Sequence, residues 1–305
     1  MSSIVTYEFE LQWGVLYDQP SDINRKMADE IEAFQPQVPI NKKWFNYRFS
    51  VDKDKKHIYA KIEIDKQGLF EKEITEGNGW EHIIDDLVIH GLKDVFFAIN
   101  LAYPGSAHVF RSPVYRDGCI LPTEFSYSSD ISSSVYYECK WITFENLTIQ
   151  QCWDWLTTKT NFLLFVSRTS IDRALFALSY ESIANEDMYI FYILYGIEAI
   201  YNDGSNKEDS IMEQLRRKCQ VLLGQLPRKA IKSLNEMYKM RSKLVHGCSN
   251  IYKCWPSNDS EEKEFEVEDE RQYMTTATGI LLATIQKFIK ANANTLVETN
   301  KVELK

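Results

Sequence analysis

The first half of the chain alternates apolar and polar residues, which is typical of half-buried β-strands. One such segment carries Tyr7, Phe9, Leu11 and Trp13 at every second position. The same alternation recurs at Ile58, Ala60, Ile62 and Ile64, and again at Val135, Tyr137, Cys139 and Trp141. Residues 4 to 145 are therefore predicted to be mainly strands.

Four further elements are predicted within this half. The apolar run from Asp94 to Leu101 indicates a buried strand, and Tyr103-Pro104-Gly105 indicates the turn that closes it. A short helix is expected from Asp22 to Phe34, with Asp22 as its cap. The serine-rich stretch from Ser126 to Ser134 is expected to be a loop.

After residue 147, apolar residues recur at spacings of three and four, which favours amphipathic helices. The expected helices cover residues 148–156, 170–183, 187–201, 208–223, 227–246 and 270–292, and the acidic segment 256–270 is expected to be a loop. The helix at 187–201 is apolar nearly all round, so we expect it at the centre. Pro227 suits the first turn of the helix that follows it, and Gly247 suits a helix stop.

The change from strict alternation to spacings of three and four predicts an α+β protein with two domains. A β-rich domain would span residues 1–146, and an all-α bundle of four to five helices would span residues 147–305. A length of 305 residues and an apolar content of 44% fit two ordinary globular domains.

The composition indicates the compartment in which we expect the protein. No run approaches about 18 consecutive apolar residues, and the N-terminal residues lack the pattern of a signal peptide, so we expect no membrane span and a cytoplasmic protein. Six cysteines lie at positions 119, 139, 152, 219, 248 and 254, without any C-x-x-C pair. We therefore expect reduced thiols, no zinc site and no cofactor.

The charge is unevenly distributed. The net charge of −9 argues against a protein that coats nucleic acid. Residues 207–243 nevertheless contain ten Lys and Arg against four acids, whereas residues 255–270 contain eight acids and one lysine. Two solvated helix faces would explain this pattern, and so would a local field that acts on a ligand.

The most informative residues end the helix predicted before Gly247. Arg241 and His246 lie five positions apart, in Arg241-Ser242-Lys243-Leu244-Val245-His246-Gly247. A guanidinium can hold a phosphate through paired hydrogen bonds, and an imidazole can transfer a proton near neutral pH. At about 100° per residue the two positions differ by about 140°, so one chain holds them awkwardly for a single phosphate unless His246 leaves the helix at its end. A second protomer could supply the missing partner. An ordinary helix-capping His246 and a surface ion pair of Arg241 are the alternatives.

The helical half resembles the HEPN superfamily, most closely its Apea-like branch. The segments that carry the resemblance are Asp172 to Leu178, Tyr192 to Tyr201 with Glu198 inside an apolar run, and the Arg241 to Gly247 motif. The resemblance covers roughly residues 165 to 295. It implies a homodimer with a composite Arg/His cleft and metal-independent RNA cleavage, in antiviral defence, toxin or stress systems.

Three residues are expected to support Arg241 and His246. Glu198 is costly to bury alone, so we expect it to pair with Arg241 or another cation and to orient it. Ser242 has two readings, a bond to phosphate or simple solvation. Tyr238 is interpreted either as a stacking platform for a base or as part of the core.

Two functions follow as hypotheses. The first is a metal-independent endoribonuclease, with Arg241 and His246 catalytic, RNA as substrate, and a β-rich half that senses a protein or small-ligand trigger. The second is a catalytically inactive module that dimerises and binds a ligand or a protein, with Arg241 held in an ion pair by Glu198. One half of a toxin–antitoxin pair is a third possibility.

Overall fold

The structure is a computed structural model that describes residues 4–14, 21–36, 45–65, 80–182, 186–202, 211–246, 261–298 and 302–304. Its regular elements, in chain order, are β1 (Ile4–Gly14), α1 (Ser21–Ala33), β2 (Phe45–Asp52), β3 (His57–Asp65), α2 (Trp80–Ala102), β4 (His108–Arg116), β5 (Cys119–Tyr127), α3 (Asp130–Glu138), α4 (Ile149–Lys159), α5 (Ser170–Ser179), α6 (Glu186–Tyr201), α7 (Ile211–Leu223), α8 (Arg228–Val245), α9 (Glu261–Ala291), β6 (Leu296–Glu298) and β7 (Val302–Leu304). Short 3-10 turns cover Phe162–Leu164 and Tyr180–Ser182. The coarse prediction of an α+β protein is confirmed.

The chain divides into two compact units, although not at one boundary. The first unit comprises Met1–Ser129, Leu147–Thr158 and Leu163–Phe165, and the second comprises Asp130–Asn146, Lys159–Phe162 and Val166–Lys305. The division therefore differs from the expected single boundary after residue 146. The reason is that α3 packs on α9 and joins the second unit, whereas most of α4 joins the first.

A five-stranded antiparallel sheet forms the frame of the first unit, in the order β2-β3-β1-β4-β5. Phe9 faces Ala60 and Leu11 faces Ile58 across the β1–β3 pair, and all four are buried. The alternation read from the sequence is thus confirmed for β1 and β3. Because the side-chain period is two, this register places the alternating apolar residues of both strands on the same buried face.

The predicted buried strand at Asp94–Leu101 is wrong. These residues lie inside α2, a helix of 23 residues. Every residue from Asp94 to Ala102 is buried, so the segment is buried on all sides and carries no helical stripe of apolar residues. A short apolar run of this kind cannot be assigned to helix or strand by periodicity alone. The turn at Tyr103-Pro104-Gly105 does follow the element.

The predicted strand through Val135 and Trp141 is also wrong, because α3 occupies residues 130–138. Ile131, Val135 and Cys139 are buried at spacings of four, so the same residues satisfy a helical period. The predicted loop from Ser126 to Ser134 is divided between the end of β5 and the start of α3.

Two long helices, α6 and α9, organise the second unit. Helix α6 contacts α5, α7, α8 and α9, as its all-round apolar sequence predicts, and α9 in addition contacts α3. Gly196 makes the close approach possible. A Cβ at that position would lie 2.7 Å from the Cβ of Ala177 on α5 and 2.9 Å from Cδ2 of Leu281 on α9.

Several element ends differ from the sequence predictions. The acidic segment expected to be a loop is helical from Glu261 onwards, and residues 256–260 lie outside the described part of the chain. Helix α1 includes Asp22 in its first turn and not as its cap. Pro227 precedes α8, and its carbonyl accepts a hydrogen bond from the N–H of Ile231 at 3.1 Å. The second unit is not purely helical, since β6 and β7 pair antiparallel.

Candidate functional site

Helix α8 carries the residues that the sequence singles out, and its two sides differ sharply. Ala230, Leu234 and Met237 are buried with 0–2% exposure, and they hold the helix against the second unit. Cationic side chains occupy the outer side. The burial of three regularly spaced apolar residues fixes the rotation of the helix, and hence the direction in which each polar residue leaves it.

Arg241 leaves α8 on the inner side and meets Glu198 of α6. Its Nη2 lies 3.5 Å from Oε2 of Glu198, and the two side chains are 43% and 17% exposed. This is the partner expected for a carboxylate on an otherwise apolar helix. The other carboxylate oxygen, Oε1, is buried without a hydrogen-bond partner among the described residues. The guanidinium is thus anchored on one side and open on the other.

Tyr238 lies one turn before Arg241 and is the third side chain near the Arg241–Glu198 pair. Burial raises the pKa of Tyr238, the negative charge of Glu198 raises it further, and the charge of Arg241 opposes both. Its hydroxyl is buried beside the Glu198 carboxylate, and a hydrogen bond to that carboxylate also raises the pKa of Tyr238, although the geometry falls short of a full hydrogen bond. The partial burial favours the interpretation of Tyr238 as a packed residue. The hydroxyl of Tyr238 and the carboxylate of Glu198 therefore form a buried polar pair that is only weakly hydrogen-bonded.

His246 lies on the opposite side of the helix. It is exposed, and its backbone N–H donates to the carbonyl of Ser242 at 3.1 Å, as in a continuing helical turn. His246 therefore keeps its helical position instead of leaving the axis, and the separation of about 140° from Arg241 stands. The structure does not place the two side chains on one face. Ser242 is exposed on the side of His246.

Sequence reasoning missed a contact between helices. Arg216 of α7 donates from Nη2 to Oδ1 of Asn235 on α8, at 2.5 Å. The sequence shows Arg216 only as one cation in a basic segment. Nothing in the local pattern reveals which helix it reaches, because that depends on how α7 and α8 lie in the bundle.

Neither a metal nor a membrane site emerges from the described residues. No three His, Cys, Asp or Glu side chains among them are grouped as a metal ion would require, and no helix among them is long and apolar enough to cross a membrane. The thiols of Cys119, Cys139, Cys152 and Cys219 are free, whereas Cys248 and Cys254 lie outside the described ranges.

Comparison with known proteins does not add to this picture. No protein-family model, no curated protein and no solved structure matches the chain significantly. Function has to be argued from the residues themselves.

Proposed function

We propose that the protein is a metal-independent endoribonuclease of the HEPN type, in which Arg241 binds the scissile phosphate and His246 transfers a proton. One observation carries the proposal. The guanidinium of Arg241 pairs with Glu198 at 3.5 Å while the Arg241 side chain stays 43% exposed. An arginine held in this way keeps donors free for two phosphate oxygens, in the bidentate geometry that suits a guanidinium.

RNA supplies its own nucleophile for this reaction. The 2′-oxygen attacks phosphorus, the bond from phosphorus to the 5′-oxygen breaks, and a 2′,3′-cyclic phosphate and a 5′-hydroxyl result. An imidazole removes the proton from the 2′-hydroxyl or gives one to the leaving oxygen. A guanidinium stabilises the additional negative charge of the phosphorane. Arg241 and His246 together meet these requirements without a cofactor.

The opposite directions of the two side chains support a homodimer. Because Arg241 and His246 leave α8 about 140° apart, one chain holds them awkwardly for a single phosphate. We propose that Arg241 of one protomer and His246 of the other act on the same phosphate. Tyr238 and Glu198 are positioning residues for Arg241, and Ser242 lies beside His246 on the exposed side.

The first unit then has a regulatory role in the proposal. We assign the five-stranded sheet to sensing a trigger, a protein or a small ligand, that releases the nuclease in a cytoplasmic defence or toxin system. The catalytic candidates all lie in the second unit, and the sheet unit supplies no residue to the proposed chemistry.

The direct test compares RNA cleavage by the wild type with Arg241→Ala and His246→Ala. Each substitution should lower the cleavage rate by at least about 100-fold, the loss typical of a removed transition-state donor. Both side chains are partly or fully exposed, so the thermal midpoints should change little. Cleavage at the wild-type rate by either folded variant would show that the site is assigned wrongly.

A second candidate function is an inactive binding module. The observation in its favour is the same ion pair, because a guanidinium committed to Glu198 is less available to a phosphate. Glu198→Gln separates the two cases. If the pair only locks Arg241, the variant should leave every activity unchanged. If the pair orients Arg241 for catalysis, cleavage should fall.

A further inference from the structure

The outer side of α8 carries three cations in line with His246 that the proposed chemistry does not use. At about 100° per residue, the positions of Arg228, Lys232, Lys239 and His246 fall within about 40° of one another. All four are exposed. At about 1.5 Å per residue the line is about 27 Å long and ends at His246. We call Arg228, Lys232 and Lys239 the basic track.

Helix α8 offers little negative charge that could neutralise the basic track. Helix α8 contains six Lys and Arg and a single acid, Glu236. That acid pairs with Lys239 at 2.7 Å, while Lys239 stays 66% exposed. Within the described part of the chain, no carboxylate forms an ion pair with Arg228 or Lys232. The track therefore presents positive charge to the solvent in a protein of net charge −9.

The first turn of the helix is electrostatically unfavourable as it stands. Arg228 and Lys229 open α8, and no acid lies in that turn. The N-terminal end of a helix carries partial positive charge, so each cation there costs about 0.3 to 1 kcal/mol at low salt. The protein gains no folding stability from cations at this end of the helix. An anion bound at that end would interact favourably with both the helix end and the cations.

A second helix adds to the track at its middle. Arg216 of α7 reaches Asn235, which follows Lys232 by nearly one turn on the outer side of α8. Nε of Arg216 is buried without a hydrogen-bond partner among the described residues. The hydrogen bond to Asn235 holds a further cation beside the line, so the positive charge does not depend on α8 alone.

Resting on the proposed ribonuclease function, we propose that the basic track, with Arg216 beside it, binds the phosphodiester backbone of single-stranded RNA and leads that strand to His246. The track is one side chain wide and straight, which fits a single backbone with regularly repeated charges better than the irregular surface of an acidic protein. It binds without base contacts, so it adds affinity and direction but no sequence preference.

The test measures binding separately from cleavage. A fluorescent RNA of about a dozen nucleotides, methylated at every 2′-oxygen, has no nucleophile and stays intact, and its length is in the range of known single-strand sites. Fluorescence anisotropy with the full chain gives the affinity over a range of salt concentrations. The variant is the triple substitution Arg228→Gln, Lys232→Gln and Lys239→Gln.

A matched control removes the same charges elsewhere in the second unit. Lys140, Arg168 and Lys290 are exposed and lie outside α8. Their triple change to Gln lowers the net charge equally and also removes one Arg and two Lys. The control should bind within about twofold of the wild type, because distant exposed charges are screened at ordinary salt.

The track variant should bind at least about tenfold more weakly, and its dependence of log affinity on log salt should be shallower by about 2, at about 0.7 per phosphate contact on a single strand. Its thermal midpoint should not fall, since Arg228 is unfavourable at its helix end. Equal competition by unlabelled DNA and RNA would support a track that contacts phosphates alone, and stronger competition by RNA would add recognition of the 2′-position. Track and control variants that bind alike would overturn the proposal.

Two further results keep this proposal separate from the nuclease. Polyglutamate that binds the track as tightly as RNA would assign it to an acidic protein, which contradicts the proposal. Track-dependent RNA binding without any cleavage would leave the track standing and remove the proposed activity. Cleavage that depends on Arg241 and His246, with normal binding by the track variant, would remove only the track.

Discussion

Two carboxylates of the second unit, the buried Asp172 and the half-buried Glu198, stand in opposite surroundings. Asp172 is fully buried and accepts hydrogen bonds from the backbone N–H groups of Asn161 (2.8 Å), Arg168 (3.1 Å) and Thr169 (2.9 Å) and from the amide of Asn161 (3.0 Å). Glu198 has one ion pair at 3.5 Å, and its other oxygen is buried without a full hydrogen bond to any residue in the described part of the chain.

The difference separates a structural site from a candidate functional one. Both carboxylate oxygens of Asp172 accept hydrogen bonds, and the Thr169–Asp172 capping box starts α5. Around Glu198, the hydrogen-bonding capacity of the carboxylate and of Tyr238 remains partly unused. A buried polar group without its partners costs about 1 to 3 kcal/mol, and a fold keeps such a group where something else uses it.

Asp172→Asn should have the largest effect on stability. Burial raises the pKa of Asp172, but the hydrogen bonds from Asn161 and Thr169 outweigh it, and the pKa lies below its ordinary value of 3.8. The charge therefore stabilises the fold above that pH. Removing it, and turning an amide toward two N–H donors, should cost about 3 kcal/mol at neutral pH by urea unfolding.

The pH dependence of the stability tests whether the charge of Asp172 causes this effect. As the pH falls through the folded pKa of Asp172, the wild type loses the same stabilisation, and the difference from Asp172→Asn should shrink. Asp154→Asn is the control, because Asp154 is exposed and accepts a hydrogen bond from Gln150 on its own helix, and it should cost less than about 0.5 kcal/mol. Equal losses from both variants would contradict the contrast.

Glu181 provides an intermediate case. It accepts a hydrogen bond from the backbone N–H of Ser132 at 2.7 Å, at the start of α3. Burial raises the pKa of Glu181 to about 7, although the Ser132 hydrogen bonds oppose the shift. The unfolded chain, with the ordinary value of 4.5, releases its proton first. Stability from this group is therefore complete below pH 4.5 and is lost as the pH rises through 7.

Glu181→Gln should remove this part of the pH dependence. The amide keeps an acceptor for Ser132 and never ionises, so the variant should gain on the order of 3 kcal/mol relative to the wild type between low pH and pH 8. Urea midpoints across that range provide the measurement, with exposed Glu32→Gln as the control. Parallel curves for wild type and Glu181→Gln would show that the carboxyl is not perturbed.

Glu198→Gln should have the smallest effect on stability and a clear effect on cleavage. The pair with the 43% exposed Arg241 is partly solvated, so its loss should change the free energy of unfolding by less than about 1 kcal/mol. A misdirected guanidinium should lower kcat about 10- to 100-fold with little change in KM. A large loss of stability with normal kcat would place Glu198 with Asp172 as a structural carboxylate.

The sequence predicted the parts of the fold in which pattern and burial coincide. Alternation marks β1 and β3 because one face of each strand is buried and the other is not. It failed at Asp94–Leu101 and around Val135, where a helix buries residues on every side or where periods of two and four share the same residues. Only the neighbouring elements decide between helix and strand there.

In the candidate site, too, some features were predictable from the sequence and others were not. The pairing of Glu198 with Arg241 was predictable, since a charge on an apolar helix needs a partner. The angle between Arg241 and His246 follows from the helix period alone. The hydrogen bond from Arg216 to Asn235 was not predictable, because it depends on the placement of α7 beside α8. The role of Asp172 had a readable signal, Thr169-x-x-Asp172, that resembles a capping box.

The most direct test of the account is the chemistry of the RNA ends left in EDTA. RNA incubated with the wild type should carry 2′,3′-cyclic phosphates and 5′-hydroxyls, and RNA incubated with His246→Ala should remain intact. This result would show attack by the 2′-oxygen, without a metal, through the residue proposed. Products with 3′-hydroxyl and 5′-phosphate ends, or equal cleavage by His246→Ala, would contradict it.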